Sequence, residues 1–237
     1  METFKDKLKR QQCIGISITF TDSVVSLAVA DELDFCWIDL EHSPMSYETV
    51  MHHIIALRSK NTPALIRVSE ISIGMIKGLL DSGAEGIIVP QIQTADEVKE
   101  FLNASRYTPR GTRGFGPRVP SNFGRVNNNQ VVSNENKKIF TAVMIENREA
   151  VQNLDEILKL PELDSIVIGP MDLSHSYGHP CEIDHPEIDK LINDIIDKGH
   201  SYSKYVGIGL DVSVEIAEKY LNLGVDWVQL GCDFGFM

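Results

Sequence analysis

A closed (β/α)8 barrel is the fold this sequence predicts, and three observations point to it. Short β-rich runs alternate with longer stretches of helical period along the chain. The strand runs are nearly continuous in apolar character, as in Ile87–Val89 and Ile166–Ile168, which suits a parallel sheet covered on its outer face. The alternation fills 237 residues with eight strand runs, which fits a closed barrel better than the alternative, a doubly wound open sheet. The whole chain, 1–237, reads as one domain.

The polar N-terminal stretch METFKDKLKRQQ reads as a helix and carries no apolar signal region. The first candidate strand, Cys13–Phe20, leads to a helix over Ser23–Glu32 with Asp22 as its N-cap. Phe35–Leu40 is followed by Tyr47–Ser59. Ala64–Val68 is followed by Ile73–Ser82, where Met75, Leu79 and Leu80 keep one buried face and Gly83 marks the stop. Gly86–Pro90 precedes Ala95–Tyr107, capped by Thr94 and carrying Val98, Phe101 and Leu102 at the same three-then-four spacing. A connection at Thr108–Asn136, rich in Gly, Pro, Asn and Arg, is far longer than usual and marks a functional lid or a disordered segment. Thr141–Glu146 then pairs with Arg148–Leu160, Ser165–Gly169 with Pro186–Lys198 (stopped by Gly199), and Val206–Leu210 with Ser213–Leu223 (stopped by Gly224). The eighth strand, Trp227–Gly231, is followed almost at once by the last residue, Met237, with no room for an eighth helix.

Composition narrows the function. A net charge of −12 argues against nucleic acid or an anionic membrane as partner, because both require a basic face. Nowhere is there an apolar stretch long enough to cross a membrane. Cys13, Cys36, Cys181 and Cys232 are scattered without a CxxC pair, and read as structural thiols of a reducing cytoplasm.

Active sites of such barrels lie at the C-terminal strand ends. Those ends carry Asp39-Leu40-Glu41-His42, Arg67, Gln91, Glu146, Gly169-Pro170-Met171-Asp172, Asp211 and Asp233, with no obvious serine or cysteine nucleophile. Glu146 and Asp172 follow adjacent strands, so their carboxylates can meet and hold a hard divalent cation; each could equally cap a helix or pair with a surface cation. His42 is the natural acid/base, with Asp39 three residues earlier to orient it, against the alternative of a loop histidine. Arg67 can grip a carboxylate through two parallel hydrogen bonds, or be a structural ion pair with Asp39 or Glu41. By period alone, Asp81 is a surface residue at a helix C-terminus.

The run Ile38-Asp39-Leu40-Glu41-His42-Ser43-Pro44 resembles a signature of the HpcH/HpaI class II pyruvate aldolases. So do Gly83–Pro90, Arg106-Tyr107-Thr108-Pro109-Arg110-Gly111-Thr112-Arg113-Gly114, and Gly169-Pro170-Met171-Asp172-Leu173-Ser174, with strand order preserved from about Leu8 to Asp233. The resemblance implies a (β/α)8 barrel assembled as a homo-oligomer. It implies a metal-dependent lyase that cleaves 4-hydroxy-2-oxo acids to pyruvate and an aldehyde, with Mg2+, Mn2+ or Co2+ in place of a Schiff-base lysine. By the same resemblance, Glu146 and Asp172 are the metal ligands. Arg67 binds the 2-oxo acid and its enolate, His42 is the acid/base tuned by Asp39, and Asp81 is a carboxylate that reaches the site of a neighbouring subunit. The backbone amides around Gly169, Pro170, Met171 and Asp172 hold the substrate carboxylate.

Two departures fall where the pocket is expected: Met144 stands where the family commonly has glutamine, and Ser17 where many members carry an aromatic residue. In relatives a C-terminal helix packs on a partner subunit, and here the chain ends before it. Two other readings follow. One is an enolate-forming enzyme with another electrophile, like the citrate-forming or CoA-ester relatives, although no basic cluster for a CoA phosphate is evident. The other is a non-catalytic binding barrel, against which His42, Arg67, Glu146 and Asp172 stand together.

Overall fold

The computed structural model describes residues 2–236. Its order of elements is α1 (Phe4–Leu8), β1 (Cys13–Ile18), α2 (Val24–Val29), β2 (Phe35–Asp39), α3 (Tyr47–Ser59), β3 (Ala64–Arg67), α4 (Ile73–Asp81), β4 (Gly86–Val89), α5 (Ala95–Ser105), α6 (Asn128–Lys138) and β5 (Phe140–Ile145). There follow α7 (Arg148–Gln152), α8 (Leu154–Leu158), β6 (Ser165–Ile168), α9 (Pro170–Tyr177), α10 (Pro186–Ser201), β7 (Tyr205–Leu210), α11 (Val214–Asn222) and β8 (Trp227–Cys232). All eight strands are parallel and close in sequence order, β8 pairing with β1. The barrel is the predicted one.

Local chemistry explains most helix starts. Thr94 and Glu97 form a reciprocal capping box at α5, and Ser46, Ser72 and Ser213 cap α3, α4 and α11 through their side-chain oxygens. At α2 the cap residue is Ser23, one later than expected, while Asp22 accepts from the Val24 N–H at 3.0 Å. Gly83 and Gly224 end their helices at φ +99° and +95°. Gly199 does not stop a helix but lies inside α10. There a Cβ would meet Val206 Cγ2 at 2.6 Å, so the glycine lets the helix press on the sheet.

Three further differences arise. The long connection Thr108–Asn136 carries α6, a helix that buries mostly polar side chains, Val131 with Glu135 and Asn136. Asn136 takes the Tyr107 N–H and donates back to its carbonyl, which fixes the lid-like segment to the barrel wall. The stretch Arg148–Leu160 breaks at Asn153 into two short helices. After β6 the chain enters α9 immediately, with Pro170 at its first turn.

The core has two layers. One lies between sheet and helices, rich in Ile, Leu and Val. The other fills the barrel, where Phe35, Trp37, Leu65, Phe140 and Trp227 meet. From below, α1 inserts Phe4 at 4.9 Å from the rings of Phe35 and Phe140 and 5.9 Å from that of Trp227, the last two edge-on. Among the described residues no helix is long and apolar enough to cross a membrane, and the four cysteines are free thiols.

Candidate active site

The mouth of the barrel is built outward from Arg67. Register places Asp39 and Arg67 opposite each other on β2 and β3. Their side chains close a two-pronged ion pair: Arg67 Nε donates to Asp39 Oδ1 at 2.9 Å and Nη2 to Oδ2 at 2.7 Å. Arg67 Nη1 lies 3.0 Å from Glu41 Oε2 and 3.8 Å from the Met144 sulfur. The guanidinium carbon stands 5.2 Å from the centre of the Trp37 ring. Two acids, an aromatic ring and a thioether thus fix one cation, which still has one N–H bond, on Nη2, free for a ligand.

This arrangement corrects the role expected of Asp39. Its carboxylate is taken by Arg67 and by the Glu41 N–H at 3.0 Å, so it does not orient His42. The acid beside His42 is Glu41, whose Oε2 lies 3.7 Å from Nε2, while the imidazole is two-thirds exposed at the rim (67 %). Glu41 bridges Arg67 and His42: the ion pair with Arg67 is the one expected as an alternative for that arginine, while the contact with His42 is new. Its signal was the alternation along the strand end, which sends Asp39 and Glu41 to the same side.

Glu146 follows β5 and is buried at 2 % exposure; its Oε1 accepts the Gln91 N–H at 2.6 Å. Burial above all, helped by the charges of Glu41 and Asp172, pushes this carboxyl up to about 7 against the pull of Gln91 and Arg67. Gly169 makes room for it, because a Cβ there would lie 2.9 Å from Glu146 Oε2. Asp172 sits on the first turn of α9. With His42, Arg67, Met144, Met171 and Asp211 it lines a cavity of about 320 Å3 at the strand ends. Pro170 has no N–H, so Met171 and Asp172 carry the unpaired first-turn donors of α9, at the positive end of the helix.

Other expected positions fall elsewhere. Met144 lines the cavity, whereas Ser17 is buried off it with its hydroxyl unpartnered. Asp233 ties β8 to the end of β1 by accepting from the N–H groups of Thr19 and Phe20, both at 2.8 Å. Asp81 is not at the mouth of its own barrel. It pairs with Arg113 at 2.6 Å and lines a separate outer groove of about 1190 Å3 with Tyr47, Ile55, Phe115 and Phe123.

The carboxylates fit a hard cation. Glu146 is buried, repelled by two neighbouring acids and supplied with one N–H, a donor set that a divalent ion would complete.

Comparison with known proteins agrees with the fold. The family model described as HpcH/HpaI aldolase/citrate lyase matches residues 19–237. A 2-keto-3-deoxy-L-rhamnonate aldolase of Escherichia coli is 33 % identical over 234 residues, covering 97 % of this chain and 86 % of its own. That of Salmonella typhi is 34 % identical over the same shares. Among solved structures, an HpcH/HpaI aldolase from Desulfitobacterium hafniense superposes with a TM-score of 0.95 at 23 % identity, over 100 % of this chain and 92 % of that one. The citrate synthase SbnG superposes at 0.89 with 28 % identity, over 100 % and 93 %. The chain belongs to the HpcH/HpaI aldolase/citrate lyase family.

Proposed function

We propose that this protein is a metal-dependent aldolase that splits or forms the C3–C4 bond of a 4-hydroxy-2-oxo acid through the enolate of pyruvate. The observation that carries the reading is Arg67, clamped by Asp39 and Glu41 with one N–H bond free, in a cavity that Asp172 also lines and close enough to the buried Glu146 for their charges to interact. Kinship with the two 2-keto-3-deoxy-L-rhamnonate aldolases supports a sugar-derived 2-oxo acid as substrate class.

Glu146 and Asp172 would hold the cation, Mg2+, Mn2+ or Co2+. Once bound, it supplies Lewis-acid stabilisation of charge developing on the 2-oxo oxygen. The N–H groups of Met171 and Asp172 receive the substrate carboxylate at the helix start. Arg67 donates its free N–H to the same oxygen as the bond to C4 breaks and enolate charge appears. His42 takes the proton from the C4 hydroxyl and, being exposed, passes it to solvent. Glu41 stabilises the imidazolium that results. Asp39 acts through Arg67, holding the fork in place.

Asp81 lines an outer groove of its own chain, so the role that the family resemblance gives it would be played at the site of a second copy, in a homo-oligomer. The free thiols fit a reducing cytoplasm. Met144 favours a second reading. An apolar thioether beside Arg67 changes what the pocket accepts, so another electrophile, as in the citrate-forming relatives, would use the same enolate.

The test is exchange of the pyruvate C3 protons in deuterated water, which needs no second substrate. Exchange should vanish after chelation, return with Mg2+, Mn2+ or Co2+, and fail to return in Asp172→Asn, whose metal affinity should drop roughly tenfold or more. Full exchange in metal-free protein would overturn the assignment.

A further inference from the structure

The loop between α9 and α10 concentrates ligand-type side chains away from the carboxylates just described. Three of the seven histidines, His175, His179 and His185, fall in one short stretch with Cys181 and Glu182. His179, Glu182 and His185 each offer one ligand atom, and these atoms all lie within 4.8 Å of one another. The rings of His179 and His185 are stacked, with centres 3.5 Å apart and planes 18° from parallel. Stacking brings two imidazoles, the commonest metal-ligating side chains, to one point of the surface. Glu187 Oε2 lies 2.9 Å from His179 Nε2. A carboxylate there holds the proton on Nε2 and leaves the Nδ1 lone pair free, the arrangement that typically stands behind a metal-binding histidine.

We propose that His179, Glu182 and His185 form a second cation site, selective for a borderline transition metal such as Zn2+. Two imidazoles and one carboxylate, with the fourth position left to water, match the ligand types that Zn2+ takes. The donor chemistry separates the two sites. Imidazole nitrogens favour Zn2+ over Mg2+, while the all-oxygen pair of Glu146 and Asp172 suits the harder ion. His185 now caps α10 by accepting the Glu187 N–H at 3.3 Å, a long contact that metal binding would exchange for a stronger bond.

The site has a reach into the barrel mouth. Ile183, the residue after Glu182, lines the 320 Å3 cavity with Asp172 and Met171. Ligation on both sides of Ile183 fixes the segment that presents it to substrate. This consequence rests on the proposed pyruvate chemistry; the cation site does not.

The experiment titrates Zn2+ into the full chain in millimolar Mg2+, using competition with a chromogenic zinc chelator. Wild type should bind one Zn2+ per chain at this site. His179→Gln, Glu182→Gln and His185→Asn should each weaken it at least tenfold; Asn is itself a good N-cap, so the last variant keeps the start of α10. Binding at wild-type affinity in all three, or no binding by wild type beyond that of the triple variant, overturns the proposal. In the pyruvate exchange assay, Zn2+ should shift KM in wild type and leave His179→Gln unmoved. An unmoved KM despite intact Zn2+ binding removes the link through Ile183. Loss of all exchange, with Zn2+ binding intact, would count against the enzymatic reading alone.

Discussion

Two buried glutamates stand at opposite ends of the barrel, and their surroundings are opposite too. Glu85, just before β4, is 3 % exposed, accepts the Phe4 N–H and lies 3.6 Å from Lys138 Nζ. Glu146, just after β5, is 2 % exposed and feels two further carboxylates, Glu41 and Asp172, with Arg67 as a weaker counterweight. Burial pushes both carboxyls up; at Glu85 Lys138 and the Phe4 N–H pull back, while at Glu146 the neighbouring acids push further. The lower end is arranged to be satisfied within the chain. The upper end holds charge in waiting for something from outside, and that imbalance is what marks it as the working end.

If this division is right, variants at the two ends should separate stability from rate. Phe4→Ala should have the largest effect, a loss of about 3–5 kcal/mol in chemical denaturation, because it empties a packed aromatic cluster. Its kcat per folded molecule should stay near wild type; a comparable collapse in kcat would break the division. Arg67→Lys should do the reverse, raising the barrier by about 2.7–4 kcal/mol, read as kcat in the exchange assay, since a point charge cannot reproduce the fork. An unchanged kcat with a lowered Tm would make Arg67 a structural ion pair with Asp39 and Glu41.

The glutamates themselves give the smallest and sharpest contrast. In metal-free protein at pH 8, Glu146→Gln should gain about 0.5–2 kcal/mol of stability while ending activity, as expected where function is held at the expense of the fold. Glu85→Gln should leave activity intact and change stability by less than about 1 kcal/mol. The pH dependence at Glu85 has a definite sign. Its folded pKa is raised, so above the ordinary 4.5 the folded chain keeps a proton that the unfolded chain has lost. Wild-type stability should therefore fall as pH rises from 4.5 through the folded value, and then level off, and Glu85→Gln should lack that fall. Denaturant midpoints across this range would show a parallel slope in the variant if Glu85 is not the group responsible.

What was legible in the sequence was what depends on short-range pattern. The eight strands emerge within two residues of their expected ends, because an unbroken apolar run such as Gly86–Val89 has few other places to go. The α6 helix was hidden because it pairs its neighbours through polar groups, Asn136 with the Tyr107 backbone, and shows no apolar stripe. The α9 helix was hidden because it starts one residue after β6, with no loop to announce it. At the site, the residue types and the ion pairing of Arg67 with Asp39 or Glu41 were legible, and the partner of His42 was not. That Asp39 faces Arg67 and not His42 follows from strand register, which is set by the whole closed sheet. His179, Glu182 and His185 escaped for a related reason: only the turn between α9 and α10 brings their ligand atoms together.

The aromatic plug has a consequence in time. Phe4 is made long before one of the rings it packs against, Trp227. At roughly 5–20 residues per second, synthesis separates the two by about 11–45 seconds. During that interval β1 has no β8 to pair with, and its outer edge is open to any strand it meets. Closure therefore waits for contacts of very large sequence separation, the kind that slows folding most. The nascent chain's exposure to wrong pairing is set at the end of the barrel remote from the catalytic mouth.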